Sequence, residues 1–150
     1  MAATMSTFVL APLVLISVAV AVGATIVAVL VRRLRDRREH PQDFAFATCT
    51  AFGPELGQSR AERILRALPD VPEATLAGWL ADFESLDAEI WALARAGGPV
   101  VLGEDAVRRT LTGKFPFLCG PGLKQAIFLV GYNAWHEGYD VSPERDGERK

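Results

Sequence analysis

The pattern of apolar and charged positions divides the chain into two parts near residue 31. Residues Phe8 to Val31 form 24 consecutive positions without a charged side chain, and five arginines fall within the next seven positions. A helix of 24 residues is about 36 Å long, enough to cross a hydrocarbon layer of about 30 Å. The pattern therefore predicts one membrane-spanning helix over residues 8–31, preceded by a short extracytoplasmic segment over residues 1–7.

Two alternatives to a membrane anchor are disfavoured. A cleavable signal peptide needs basic residues before its apolar core, whereas the first charged side chain here is Arg32. Cleavage after Ala21 would also leave ten further apolar residues at the new N-terminus. A buried helix of a water-soluble protein is disfavoured because the 119 residues that follow could hardly enclose so long an apolar rod.

The basic segment 32–40 predicts the orientation of the anchor, because Lys and Arg are retained on the cytoplasmic side of a span. We expect the N-terminus outside a cell membrane, inner or plasma, and the C-terminal domain in the cytoplasm. The same side chains would stop transfer and lie against anionic lipid head groups. These stop-transfer residues are Arg32, Arg33, Arg35, Arg37 and Arg38.

Small side chains recur along the predicted span at spacings of three or four. Such spacing lets two helix backbones approach closely, so we expect packing with another membrane subunit or with a second copy. The alternative is that a composition rich in Ala and Val produces these spacings by chance. The residues concerned are Ser17, Ala21, Thr25 and Ala28, together with Ala19 and Gly23.

Helical periodicity dominates residues 41–141, which we expect to form one small helical domain. Ser59 and Glu62 have the spacing of a capping box, and a short apolar face follows until Pro69. Between Pro72 and Gly97, a broad apolar face recurs at about 100° per residue, which predicts a long helix. That face comprises Leu76, Trp79, Leu80, Phe83, Leu86, Ile90, Leu93 and Ala94.

The remaining segments are shorter. We expect a helix from Glu104 to about Thr112, closed by Gly113, and an irregular apolar loop over residues 115–122. Residues 123–136 are apolar nearly all round, which favours a buried helix, with a buried strand as the alternative. Residues 41–58 weakly favour a helix, and the polar tail 142–150 is expected to be disordered. The predicted fold class is mainly α.

Charge and cysteine content narrow the functional classes. The formal net charge of the chain is −2. From Glu39 onward, however, there are 11 basic and 17 acidic residues, so this part carries a net charge of about −6. Nucleic-acid binding needs a basic surface, so we do not expect it. Cys49 and Cys119 lie 70 residues apart, and in the cytoplasm we expect both to be buried thiols rather than a disulfide.

Three features could carry chemistry. By helical angle, Asp87 falls in the middle of the apolar face of the long helix. It is either a functional acid in a pocket or the partner of a residue such as Arg108 or Arg109, unless the face is narrower than the helical angles suggest. A nucleophile–base pair of Cys119 and His136 is conceivable but is not positioned by any motif. Gly120-Pro121-Gly122, before a helix N-terminus, could receive an anion or form a tight turn.

Polar aromatic residues concentrate near the end of the last helix. Tyr and Trp offer apolar area with a polar handle, so the cluster favours a protein interface over a catalytic centre. Metal binding is disfavoured because His136, Glu137 and Asp140 are the only local ligands, and we expect no cofactor. The candidate interface residues are Tyr132, Trp135, His136 and Tyr139.

Together these features favour a single-pass accessory, scaffold or assembly subunit of a larger membrane complex. Its partners would be the lipid bilayer and other membrane subunits, or a second copy. A respiratory, photosynthetic or transport assembly would fit equally. The alternatives are a membrane-tethered enzyme that uses Asp87 or the Cys119/His136 region, and a membrane-anchored signalling adaptor. The sequence favours a non-enzymatic role, since no catalytic set is present.

Overall fold

The computed structural model describes residues 7–53 and 57–141, and within these it leaves out the side chains of residues 7–21 and of residue 33. The chain separates into two compact units, Met1–Arg38 and Glu39–Lys150. The predictions for residues 1–6, for the tail 142–150 and for packing at Ser17, Ala19 and Ala21 therefore lie outside the described residues.

The described part of the first unit belongs to one long helix, α1 (Thr7–Glu39), which runs through the apolar segment into the basic one and ends on the first residue of the second unit. From Val22 to Leu30 the described side chains are exposed, including the small residues Thr25 and Ala28. A methyl group added at Gly23 would meet nothing within 4 Å. Within the described parts of the chain, no helix combines the length and the apolarity that a membrane crossing requires.

The second unit is a small helical domain, as predicted, and its described residues contain no strand. The strand alternative for residues 123–136 is therefore wrong. The irregular loop predicted over residues 115–122 ends two residues early, because the last helix begins at Pro121. The helices are α2 (Pro41–Thr50), α3 (Arg60–Ala67), α4 (Glu73–Arg95), α5 (Gly98–Leu102), α6 (Glu104–Lys114) and α7 (Pro121–His136).

The core of this domain lies where α7 packs against both α2 and α4. Phe46 of α2 meets Phe83 of α4 edge to face, with ring centroids 5.2 Å apart, and neither is exposed. Phe117, from the loop before α7, contacts Phe83 at 5.9 Å. The apolar face predicted for α4 is largely confirmed, since Leu76, Phe83, Leu86, Ile90, Leu93 and Ala94 are buried.

Local sequence signals explain most helix boundaries. The capping box at the start of α3 is confirmed: the Ser59 hydroxyl accepts the Glu62 N–H at 3.2 Å, and the Ser59 N–H donates to the Glu62 carboxylate at 2.8 Å. Gly97 and Gly98 take positive φ angles of 97° and 57°, which end α4 and turn the chain into α5.

The prediction that Gly113 closes α6 is wrong. The helix continues to Lys114, and the Phe115 N–H still donates to the Leu111 carbonyl at 2.8 Å. Gly113 is not among the described glycines with positive φ, so it occupies an ordinary helical position. An ion pair between Lys114 and Glu89 of α4, at 2.6 Å, lies at this last turn.

Candidate functional site

A buried carboxylate joins α2 to the N-terminus of α7. Asp43, in the first turn of α2, is fully buried. Its Oδ1 accepts the backbone N–H groups of Cys119 at 3.0 Å, Gly120 at 3.2 Å and Leu123 at 3.1 Å, and its Oδ2 accepts that of Gly122 at 2.9 Å. We call this arrangement the Asp43 cap. A carboxylate in this position satisfies N–H groups that a helix start leaves unpaired, and it suits the helix dipole.

The Asp43 cap answers the question raised by Gly120-Pro121-Gly122. Of the two alternatives for this segment, a tight turn or a place for an anion, the structure shows a bound carboxylate, and it belongs to Asp43 of the same chain. A Cβ atom at Gly122 would collide with the backbone oxygen of Asp43 and lie 2.6 Å from Oδ1. Glycine is required here because α2 approaches the α7 backbone so closely.

A buried arginine holds the opposite end of α2. Arg63 of α3 is only 7% exposed, and its Nη2 donates to the carbonyl oxygens of Thr48, at 3.1 Å, and Ala51. These carbonyls belong to the end of α2, where a positive charge is favourable. The Arg63 Nε is also buried, yet it has no hydrogen-bond partner. Arg63 therefore caps α2 but is not fully satisfied.

Arg63 borders a cleft of about 290 Å³, which we call the arginine cleft. A second arginine, Arg60, also borders it, and its Nη1 lies 2.6 Å from Oδ2 of Asp87. This ion pair is about one-third exposed on each side, so it stands in contact with solvent. The lining consists of Cys49, Thr50, Arg60, Arg63, Asp87, Ile90, Trp91, Leu129 and Asn133.

The ion-pair partners that the sequence suggested for Asp87 are wrong. Its partner is Arg60 of α3, and neither Arg108 nor Arg109 pairs with it. Arg108 instead forms an i,i+4 ion pair with Glu104 at 2.7 Å. Asp87 lies at the edge of the apolar face of α4, where a side chain can reach both the neighbouring helix and solvent.

The two cysteines differ in environment. Cys49 is buried, as predicted, and burial raises the pKa of its thiol to about 11, against the opposing influence of Arg60 and Arg63. The prediction that Cys119 is buried is wrong, because it is exposed in the loop before α7. Cys119 precedes α7 and His136 ends it, so the 16-residue helix separates them by about 24 Å. They form no nucleophile–base pair.

Exposed aromatic rings form a continuous surface along α7. Tyr132 lies at the centre, with ring centroids 6.0 Å from Trp135, 5.8 Å from His136, 6.1 Å from Phe128 and 5.5 Å from Phe52. Trp135 is 65% exposed and Phe128 is 51% exposed. We call these five residues the aromatic face. Tyr139 is also exposed and lies just beyond the end of α7.

The sequence analysis did not predict the roles of four residues, Phe128 and Phe52 of the aromatic face and the buried residues Asp43 and Arg63. Phe128 is one helical turn before Tyr132 and seven residues before Trp135, so the spacing i, i+4, i+7 could have placed it on the aromatic face. Phe52 follows α2 in a segment whose structure the sequence leaves ambiguous. Asp43 and Arg63 carry no local signal, because their burial depends on which helices meet.

Comparison with protein-family models, curated proteins and solved structures found no match to this chain. Among the residues that the structure describes, no group of three His, Cys, Asp or Glu side chains lies close enough together to hold a metal ion. Functional inference therefore rests on the geometry of the chain itself, above all on the aromatic face and the arginine cleft.

Proposed function

We propose that the protein is a single-pass membrane protein whose cytoplasmic helical domain serves as an accessory or assembly subunit of a larger membrane complex. The N-terminal helix anchors it, with the N-terminus outside. The aromatic face binds another subunit of that complex. The observation that carries the proposal is the exposed, continuous set of rings from Phe52 to His136.

Support for the anchor comes from the sequence. The uncharged segment Phe8–Val31 is followed at once by five arginines. Most of that segment lies in residues 7–21, whose side chains the structure does not describe. α1 is continuous through both segments, and its described apolar side chains are exposed, as lipid contact would require. Such residues are Val22, Ile26, Val27, Val29, Leu30 and Val31.

Support for the interface comes from the cost of leaving aromatic rings in water. Burying a large aromatic side chain removes about 150–250 Å² from solvent, and contiguous exposed apolar patches mark interaction sites in soluble domains. The domain has a separate core that leaves these rings outside. Trp135 and Tyr132 also retain a polar group that can find a partner across an interface.

The enzyme alternative finds no support in the geometry. Asp87 is held in an ion pair with Arg60, and the Cys49 thiol keeps its proton at neutral pH. Cys119 and His136 lie at opposite ends of α7. His136 instead belongs to the aromatic face, with its Nδ1 3.1 Å from the Glu137 carboxylate.

The proposal is tested by extracting the full chain from membranes in mild detergent and measuring the size and composition of the native complex. We expect one stoichiometric membrane partner. Replacing Phe128 and Trp135 by Ala should release it without unfolding the domain, because both side chains are more than half exposed. Leu65→Ala with Val100→Ala is the matched control, since these exposed apolar residues lie outside the aromatic face.

The other possible outcomes would contradict parts of this proposal or favour another role. A complex that survives loss of Phe128 and Trp135 contradicts the assigned interface. A soluble partner favours the signalling adaptor, and a lone monomer contradicts the subunit proposal. A reporter that is active only outside the cytoplasm, fused after Lys150, should be silent. Activity of that reporter would show that the orientation is inverted.

A further inference from the structure

The arginine cleft has the size and chemistry of a small-ligand site. Its volume of about 290 Å³ is just below the range for pockets that bind drug-sized molecules, about 300–1,000 Å³, so it suits a smaller ligand. Its lining includes the charged residues Arg60, Arg63 and Asp87 and the apolar residues Ile90 and Leu129. Apolar residues combined with a few convergent charged groups are typical of small-molecule sites.

The side chains that line the cleft carry a surplus of one positive charge, from two arginines and one carboxylate, although Glu84 outside the lining also acts on Arg60. The charge of Arg60 is matched by Asp87 at 2.6 Å. Arg63 makes hydrogen bonds to two neutral carbonyl oxygens, and no described acidic side chain pairs with it. Its side chain is more than nine-tenths buried and its Nε–H is unpaired. One anionic group would balance the charge and give this guanidinium an acceptor.

We propose that the arginine cleft binds a small monocarboxylic acid. Its carboxylate lies near Arg60 and Arg63, and its short apolar body lies against Ile90, Trp91 and Leu129. A guanidinium is planar and matches the geometry of a carboxylate, and a single negative charge equals the surplus. The apolar residues of the lining favour an organic acid over inorganic phosphate. This inference is independent of the aromatic face and of the subunit role.

Asp87 acts as an internal competitor in this proposal. It occupies Arg60 in the free protein, and an incoming carboxylate must either share that guanidinium or displace Asp87 from it. Removing the Asp87 charge should therefore strengthen binding, although the same change breaks an ion pair. A purely structural role for the pair predicts no such gain.

The test is a titration of the purified full chain, in nonionic detergent, with sodium propionate at constant ionic strength. Saturation-transfer NMR of the propionate methyl group reports binding. We expect saturable binding, about tenfold tighter for Asp87→Asn and about tenfold weaker for Arg60→Gln, as one charge a few ångström away would produce. Glu73→Gln is the matched control, since it makes the same charge change on α4 at an exposed position outside the cleft lining.

Absence of saturable binding to wild type and to Asp87→Asn overturns the proposal. Equal effects of Glu73→Gln and Asp87→Asn would also overturn it, because binding would then follow overall charge rather than the cleft. Tighter binding of sodium phosphate than of propionate would overturn the assignment to a monocarboxylic acid. The Arg63→Gln variant should also lose propionate binding, provided that it folds. If it does not fold, the Arg60→Gln and Asp87→Asn variants still test the proposal.

Discussion

Two charged side chains are buried in the described part of the chain, and they lie at opposite ends of α2. Asp43 belongs to the first turn of α2, and Arg63 of α3 contacts its last turn. Asp43 is surrounded by four backbone N–H donors, all within 3.2 Å. Arg63, which lines the cleft, donates to two carbonyl oxygens and has a buried Nε–H without a partner. A buried charge whose hydrogen bonds are complete stabilises one packing arrangement, whereas one that lacks a partner retains capacity to bind.

This comparison predicts that Asp43→Ala is the most damaging change at either end of α2. The substitution leaves four backbone N–H groups without their acceptor, two of them buried and two partly buried, and we expect it to lower the free energy of unfolding by about 3–5 kcal/mol. Thermal unfolding of the full chain in detergent measures the loss. Asp82→Ala is the control, because Asp82 is exposed and accepts only a surface hydrogen bond from Gln42. A small effect at Asp43 would show that the cap is not needed.

A second prediction concerns the closeness of α2 and α7. Gly122→Ala places a methyl group against the Asp43 backbone and carboxylate, and we expect a loss of about 2–4 kcal/mol. Gly113→Ala is the matched control, since a Cβ there would meet nothing within 4 Å. That control should gain about 0.5–1 kcal/mol, because Ala favours a helix interior. Equal responses of the two variants would contradict the close approach.

Arg63→Met should cost less than Asp43→Ala. Methionine keeps much of the aliphatic volume and removes two hydrogen bonds to the end of α2, so we expect a loss of about 1–3 kcal/mol. The buried Nε–H disappears with the guanidinium, which offsets part of the cost. Arg66→Met, at an exposed position of the same helix, should change stability little. A loss at Arg63 as large as that at Asp43 would remove the difference between the two ends.

The smallest effects concern Cys49, which borders the arginine cleft. With its pKa raised to about 11, the folded thiol should react with iodoacetamide about a hundredfold more slowly than an ordinary thiol at pH 8, and exposed Cys119 should react first.

The same thiol predicts how stability depends on pH. The unfolded thiol of Cys49 ionises near pH 9, while the folded one keeps its proton. Stability should therefore fall as the pH rises from about 9 to about 11.

Cys49→Ala is the control for this pH dependence, because it removes the titrating thiol and should flatten the fall between pH 9 and 11. Mass spectrometry of the alkylated chain identifies which cysteine reacts first. Faster labelling of Cys49 than of Cys119 would show that the cleft exposes an activated thiol, and it would revive the enzyme alternative.

Those parts of the fold that depend on neighbouring residues could be predicted from the sequence. The start of α3 follows from Ser59 and Glu62, three residues apart, and α4 follows from an apolar face that repeats over five turns. The short helix α5 was missed because five residues carry too little periodicity to be recognised. The prediction that α6 ends at Gly113 was wrong because glycine ends helices chiefly when its φ angle is positive, and the φ angle of Gly113 is not.

The arrangements of greatest functional interest depend on distant partners. The backbone donors to Asp43 lie 76 to 80 residues further along the chain, so nothing near Asp43 announces its burial. The helical angle of Asp87 indicates that it needs a partner, but which residue pairs with it depends on how α3 meets α4. The aromatic face was found in part, because Tyr132, Trp135 and His136 follow each other closely, whereas Phe52 joins only through folding.

The most direct test of the subunit proposal is photo-crosslinking in intact membranes from position 135. Replacing Trp135 by the photoreactive residue p-benzoylphenylalanine should yield one defined product that contains this chain and a second membrane protein. The same residue at Ala77, an exposed position on α4, should yield none. A product of twice the chain's mass would identify self-association. No product from position 135, or equal products from both positions, would contradict the aromatic face as the interface.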